Sequence, residues 1–272
     1  MEECIELLVS DPEARLIAGG TDLGVESNLR QRRWPHLVSL EAIGELRAFE
    51  ESAESVRIGA SLPLTDMEAQ WASAPAAFRT WFPLFASPML RNRATIGGSL
   101  ATASPIGDSA PLLLAFDARV HIAGRAGRRV VDLADFFEGY RKTALQGGEL
   151  ITAIEIPKPF PMEAAFYKAA KRRMDDISTV AAAFALDLDN DGRIVSARFA
   201  FGGVAAVPLR VTSAEQAVLG RRWNESTMRG AQNAITESLR PISDHRGSAG
   251  YRLAVAASLL EKFYWRAQEE AA

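Results

Sequence analysis

Residues 91–108 read Arg91-Asn92-Arg93-Ala94-Thr95-Ile96-Gly97-Gly98-Ser99-Leu100-Ala101-Thr102-Ala103-Ser104-Pro105-Ile106-Gly107-Asp108. Gly97 stands beside Gly98, hydroxyls are spread over Thr95, Ser99, Thr102 and Ser104, and side-chain bulk is almost absent. Glycines let a backbone approach a bulky anion closely. Successive exposed N–H groups then form a nest for phosphate oxygens, and neutral hydroxyls add donors. A segment this long and this small is uncommon as mere connection. Asp108 closes it, either as an acceptor for a hydroxyl or as a cap for the apolar helix expected through Leu112 to Leu114.

Toward the N-terminus lies a shorter glycine loop, Ala18-Gly19-Gly20-Thr21-Asp22-Leu23, directly after a brief apolar strand over 15–18. Thr21 offers a hydroxyl donor. Asp22 is a poor phosphate partner because of its charge, and reads as a brace for the loop or a partner for a ribose hydroxyl. Taken alone, this loop is equally a plain Gly-Gly turn. Neither loop has the GxGxxG spacing of the Rossmann fingerprint or the lysine of the Walker phosphate loop.

Further out, short strands are expected over 37–40 and 56–60, and helices over 64–77 and 77–86, punctuated by Pro75 and Pro83. Strands follow over 118–122 and 152–156, the last stopped by Pro157, with a turn and short helix over 130–137. Pro157, Pro159 and Pro161 make the best linker, so the domains expected are 1–160 and 161–272. In the second, strands over 180–189 and 194–202 should pair across Asn190-Asp191-Gly192. Helices are expected over 213–220, 226–239 and 249–267.

Composition narrows the function. The 272 residues carry 31 basic and 34 acidic side chains, a net charge of −3, well interspersed. That gives no footprint for nucleic acid or an anionic membrane. No stretch approaches a membrane span, and the acidic N-terminus is unlike a signal peptide. The chain opens almost at once on a helix pattern, as one lacking a short leading segment does. The single cysteine, Cys4, cannot form an intrachain disulfide or supply the thiolates of an iron–sulfur cluster; a reducing cytoplasmic setting fits. No nucleophile–base pair and no metal-ligand set is evident. His36, His121 and His245 stand away from the glycine loops, and structural or solvent roles are expected for them. Arg30, Arg32 and Arg33 before Trp34 read as a solvated face, or as a contact with a partner subunit or NAD phosphate.

The two loops together resemble the FAD-binding domain of the molybdenum hydroxylases, that is, xanthine dehydrogenase and its relatives, including the medium subunit of carbon monoxide dehydrogenase. That family reads Ala-Gly-Gly-Thr-Asp-Leu in the first segment. In the second it reads Arg-Asn-x-Ala-Thr-x-Gly-Gly-Asn, then Ala-x-Pro-x-x-Asp. Ser99 departs from it, since asparagine is usual there; serine keeps a hydroxyl and loses the amide. The resemblance continues through Tyr140-Arg141-Lys142-Thr143-Ala144-Leu145 before Glu149, and Ile154-Glu155-Ile156-Pro157. It extends on through Lys168, Arg172-Arg173-Met174-Asp175-Asp176-Ile177 and Phe201-Gly202-Gly203-Val204-Ala205.

The resemblance implies non-covalent FAD. Leu16, Ile17, Ala18, Gly19, Gly20, Thr21, Asp22 and Leu23 would wrap the diphosphate, with Thr95, Gly97, Gly98, Ser99, Ser104 and Asp108 opposite. Ile151 would meet the adenine side and Lys168 would reach the cofactor. Phe85 would stand near the isoalloxazine or be a core phenylalanine. Arg172 and Asp175 would lie near the flavin ring or form a surface ion pair. The implied fold is α+β: a two-subdomain FAD-binding domain of the p-cresol methylhydroxylase/vanillyl-alcohol oxidase type, then a small α+β C-terminal domain of the carbon monoxide dehydrogenase flavoprotein type, a three-stranded sheet packed on helices. The implied function is a xanthine dehydrogenase component with no catalytic residue of its own. Electrons would come from a molybdopterin subunit and a 2Fe-2S module, on another chain or a missing segment, and pass through FAD to NAD. Two other readings stand beside it: a self-sufficient FAD-dependent oxidoreductase of the same superfamily, and a non-catalytic nucleotide-binding protein with degenerate loops.

Overall fold

The computed structural model describes residues 1–271. Helix α1 (Glu2–Ser10) leads to strand β1 (Arg15–Ile17), helix α2 (Thr21–Arg30) and strand β2 (Leu37–Ser39). Strands β3 (Phe49–Glu51) and β4 (Ser55–Gly59) precede a run of short helices: α3 (Leu64–Gln70), α4 (Ala76–Leu84), α5 (Pro88–Arg91), α6 (Ile96–Thr102) and α7 (Ser109–Ala115). Prolines set several of these starts, with Pro63 and Pro75 at N-caps and Pro88 at the head of α5. A proline disfavours the helical conformation in the residue before it, while its own φ suits a first turn. The helix expected through residue 77 stops at Gln70, well before Pro75, and α4 begins afresh after that proline.

Strands β5 (Arg119–Gly124) and β6 (Gly127–Asp132) form a hairpin, followed by helix α8 (Leu133–Phe136) and the strands β7 (Phe137–Gly139) and β8 (Lys142–Thr143). The chain continues through β9 (Leu150–Pro157), β10 (Glu163–Ala169), β11 (Val180–Leu188), β12 (Ile194–Gly202) and β13 (Leu209–Arg210). It ends in helices α9 (Thr212–Val218), α10 (Glu225–Ser238) and α11 (Ala249–Ala271).

The chain divides into two compact units. The first holds Met1–Ser73, Ala86–Ala103 and Asp117–Lys158. Within it β1 and β2 pair in parallel, and Cys4, Leu8, Leu40, Leu46 and Leu150 bury against one another. Its larger sheet is antiparallel, in the order β3-β4-β9-β5-β6. The alternation of β4 is plain: Val56 and Ile58 are fully buried while Arg57 between them points to the other face.

The second unit holds Ala74–Phe85, Ser104–Phe116 and Pro159–Ala272. Its sheet has three long antiparallel strands, β10, β11 and β12, with the two-residue β13 at the edge. Strand β11 reads Val180-Ala181-Ala182-Ala183-Phe184-Ala185-Leu186. Val180, Ala182, Phe184 and Leu186 join the core formed with α9, α10 and α11, with Phe199, Phe201, Leu260 and Phe263. Ala181, Ala183 and Ala185 fall on the opposite face, which α7 covers, and are buried too. Small side chains there let the helix come close: a Cβ on Gly202 of β12 would sit 3.1 Å from the ring of Pro111.

Candidate functional site

In the first unit the two glycine segments lie against each other. A Cβ on Gly19 would overlap the carbonyl of Arg93, so the absent side chain is what allows the contact. Thr102 donates to Asp22 at 2.6 Å, so Asp22 braces the loop. Thr95 caps α6, its hydroxyl accepting from the Gly98 N–H at 3.0 Å. The Gly97 N–H donates to the carbonyl of Ala60 at 3.1 Å, and a Cβ on Gly97 would lie 2.5 Å from that oxygen. Gly20 takes φ +74° and precedes α2, whose N-terminus no side chain caps. The first-turn N–H groups of such a helix remain as donors at its positive end.

These segments border a cavity of about 120 Å³ lined by Ala18, Gly19, Pro63 and Thr95, with Ser61, Asn92, Arg47, Arg93, Glu41 and Asp66. Its charges are already matched: Arg93 pairs with Glu41, and Arg47 with Asp66 at 3.4 Å. The Ser61 hydroxyl is buried and, among the described residues, has no partner. An unsatisfied buried hydroxyl costs free energy unless something fills the site. A larger cavity, about 310 Å³, is lined by Glu45, Ala48, Glu50, Arg57, Gly59, Arg128 and Thr152, and by no residue of either glycine loop. There Arg128 and Glu45 already pair at 3.2 Å.

In the second unit Lys168, on β10, has a side chain 3% exposed. Its ammonium donates to Asp108 at 2.7 Å and to the carbonyl of Leu84, at the end of α4, at 2.9 Å. Asp108 also accepts from the Ser178 hydroxyl. Asp108 occupies the N-cap position of α7 but makes no side-chain cap, because its carboxylate is taken by Lys168 and Ser178. Burial pushes the Asp108 carboxyl up, and the Lys168 charge and the two hydrogen bonds pull it back only in part.

The remaining expected residues lie as follows. Leu16 and Ala18 pack on the small core beside Leu40 and Leu46, with Ile17 between them at the end of β1. Thr21 opens α2, with Leu23 in its first turn. Ser99 sits in α6, its N–H donating to the Thr95 carbonyl at 3.0 Å. Ile151 is buried in β9, opposite Ile122. In the second unit, Ser104 closes a turn, its carbonyl accepting from the Gly107 N–H. Phe85 meets Trp81 edge to face at 5.4 Å. Arg172 pairs with Asp176 at 3.7 Å and donates to the Asp175 carbonyl. His36 and His121 pair with Asp11 and Glu155.

Sequence reading passed over Ser61, Ser178 and Arg252. No local pattern marks either serine. Arg252 did leave a signal: it stands at helical spacing with Ala256, Leu260 and Phe263 on the apolar stripe of α11, where a charge is out of place.

Residues 1–159 match the FAD binding domain in molybdopterin dehydrogenase, and residues 165–267 match the CO dehydrogenase flavoprotein C-terminal domain. Xanthine dehydrogenase 2 of Arabidopsis thaliana is 30% identical over 281 residues, covering 97% of this chain; the chain spans 21% of that relative's length. The putative xanthine dehydrogenase FAD-binding subunit XdhB of Escherichia coli is 32% identical over 272 residues, covering 96% of this chain and 91% of the relative. Among solved structures, quinoline 2-oxidoreductase from Pseudomonas putida superposes with a TM-score of 0.90 at 32% identity, over 100% of this chain and 95% of the matched one.

Proposed function

This chain belongs to the family of the FAD binding domain in molybdopterin dehydrogenase, and on that premise we propose that it is the flavin-binding component of a molybdenum hydroxylase of the xanthine dehydrogenase kind. The observation that carries the reading is the cavity at which Ala18 and Gly19 meet Thr95, with the buried Ser61 hydroxyl left over. Its lining supplies the Ser61 and Thr95 hydroxyls and guanidiniums whose charge Glu41 and Asp66 already balance, beside the uncapped N-terminus of α2. The residues present therefore fit the phosphate portion of FAD.

When bound, FAD supplies the electron-transfer chemistry, and the protein supplies binding, orientation and electrostatic tuning. Ala18, Gly19, the α2 first turn and Ser61 would hold the diphosphate. Thr95 keeps α6 capped, so that Gly97 and Gly98 present a fixed backbone. Asp22 ties the first loop to α6 through Thr102. Asp108 and Ser178 fix the position of the Lys168 ammonium, which would serve the cofactor as a localised positive charge. Molybdopterin and 2Fe-2S modules would be carried outside these residues, NAD would accept the electrons, and the setting would be cytoplasmic. The similarity to the XdhB subunit along nearly its whole length favours a purine substrate. The similarity to quinoline 2-oxidoreductase favours, as a second reading, a quinoline-type ring in place of a purine.

The test is spectroscopic. The purified full chain should take up FAD and show flavin absorption bands, and anaerobic NADH should bleach them. A chain that takes up no FAD overturns the flavin reading, and bound flavin that NADH leaves unbleached removes NAD. Xanthine oxidation by this chain alone would show that it is more than a component.

A further inference from the structure

Arg252, in the first turn of α11, is 2% exposed. A guanidinium keeps its charge inside a protein, so burying it is costly unless its donors are used. Nη1 donates to the carbonyl of Thr179 and, at 2.8 Å, to that of Gly203. Nη2 donates to Asp244 at 2.7 Å, so both terminal nitrogens are used, while Nε has no partner among the described residues. Asp244 is fixed in turn by the N–H groups of Arg246 at 2.8 Å and Gly247 at 3.2 Å. An apolar side chain would fill this place on the stripe beside Ala256 and Leu260 without desolvating a charge. Core filling therefore does not account for an arginine here, whereas the carbonyls do.

Both carbonyls belong to segments that lead to the Lys168 cluster. Thr179 follows Ser178, whose hydroxyl goes to Asp108. The N–H of Gly203 donates at 2.7 Å to the carbonyl of Pro105, in the segment that ends on Asp108. The loop between β10 and β11 is fastened again to the residues before α11: Lys171 donates to the His245 carbonyl at 2.9 Å and Thr179 to that of Arg246 at 3.4 Å.

We infer that Arg252, braced by Asp244, is a positioning residue: by holding the Thr179 and Gly203 carbonyls it keeps Ser178 and residues 105–108 where Asp108 grips the Lys168 ammonium. Its consequence for FAD rests on the proposed function, but the placement of Lys168 does not.

Amine acylation with acetic anhydride, followed by peptide mass spectrometry on the full chain, reads that placement directly. In the unaltered protein Lys168 should react far more slowly than Lys142, whose side chain is 71% exposed. Arg252→Gln and Asp244→Asn should each raise the Lys168 rate about tenfold, the effect of losing roughly one charge-assisted hydrogen bond from the anchor. Lys158, in the first unit, should be unaffected, and Arg252→Lys should restore part of the protection. Should Arg252→Gln fail to fold, Asp244→Asn and Arg252→Lys decide. An unchanged Lys168 rate in these folded variants overturns the inference, and so does an equal rise at Lys158, which would mean general loosening. FAD titration of Asp244→Asn should show about tenfold weaker binding, and unweakened binding beside a faster Lys168 rate limits the anchor to the lysine and removes its bearing on FAD. If the unaltered chain binds no FAD while the acylation pattern holds, the functional reading fails and the positioning role stands.

Discussion

At the residue scale, the most consequential side chain is Lys168. It was singled out by resemblance to a family motif, yet its partners could not be read from the sequence. The sequence leaves Asp108 as either a hydroxyl acceptor or a helix cap. The structure takes the first alternative, with Ser178 as the hydroxyl, and adds an ammonium to it. The pair also sets a pH dependence. Burial already raises the Asp108 carboxyl, and removing the ammonium would raise it further. An acid whose folded pKa is raised favours the folded state below its unfolded value, and that advantage is lost as pH rises through the folded pKa. Lys168→Met should therefore cost about 3 to 5 kcal/mol at neutral pH, the usual result of leaving a buried charge without its partner. Acidification toward pH 5 should restore part of that loss, as Asp108 takes up a proton. Urea melts across pH 5 to 8 measure this, and a loss independent of pH would mean that Asp108 is not the group involved.

At the element scale, the glycines of α6 have a task that loop chemistry alone does not suggest. Gly97 was read as a phosphate contact. In the fold its N–H goes to the Ala60 carbonyl, and it seats the first turn of α6 there with no room for a Cβ. Gly97→Ala should thus lower thermal stability in the absence of any ligand, by about 1 to 3 kcal/mol as for other overpacked sites. Differential scanning calorimetry of the flavin-free protein would detect it, and an unchanged melting temperature would mean that the helix shifts freely. Elements that sequence rendered well are those whose partners are near in the chain. The hairpin β11–β12 formed across Asn190-Asp191-Gly192 with bounds within a residue of those expected, because a two-residue period and a turn signal are local properties. The alanines of β11, alternating with Val180, Phe184 and Leu186, mark a second buried face, fitted for close helix packing by α7.

At the scale of the whole molecule, the second unit draws in Ala74–Phe85 and Ser104–Phe116 from far upstream. Helix α4 packs on β10, and α7 on β11 and β12. A fragment beginning at Pro159 would lack both helices, exposing the alanine-lined face and leaving Lys168 without Asp108. Such a fragment should bind a hydrophobic dye and lose the cooperative melt of the full chain, whereas a fragment melting as the full chain does would show that α4 and α7 are dispensable to it. The sequence by itself determined the two glycine segments, the family they resemble, the strand stop at Pro157 and the paired strands after it. These rest on residue types a few positions apart, where backbone preference and side-chain period are set locally. Only the tertiary structure decided how the buried polar groups of the second unit are partnered. Lys168 and Asp108 are 60 residues apart, Ser178 and Asp108 70, and Arg252 and Thr179 73. No periodicity spans such distances. What joins these residues is the burial of whole faces against one another, and the need of each polar group carried inside to find a partner there.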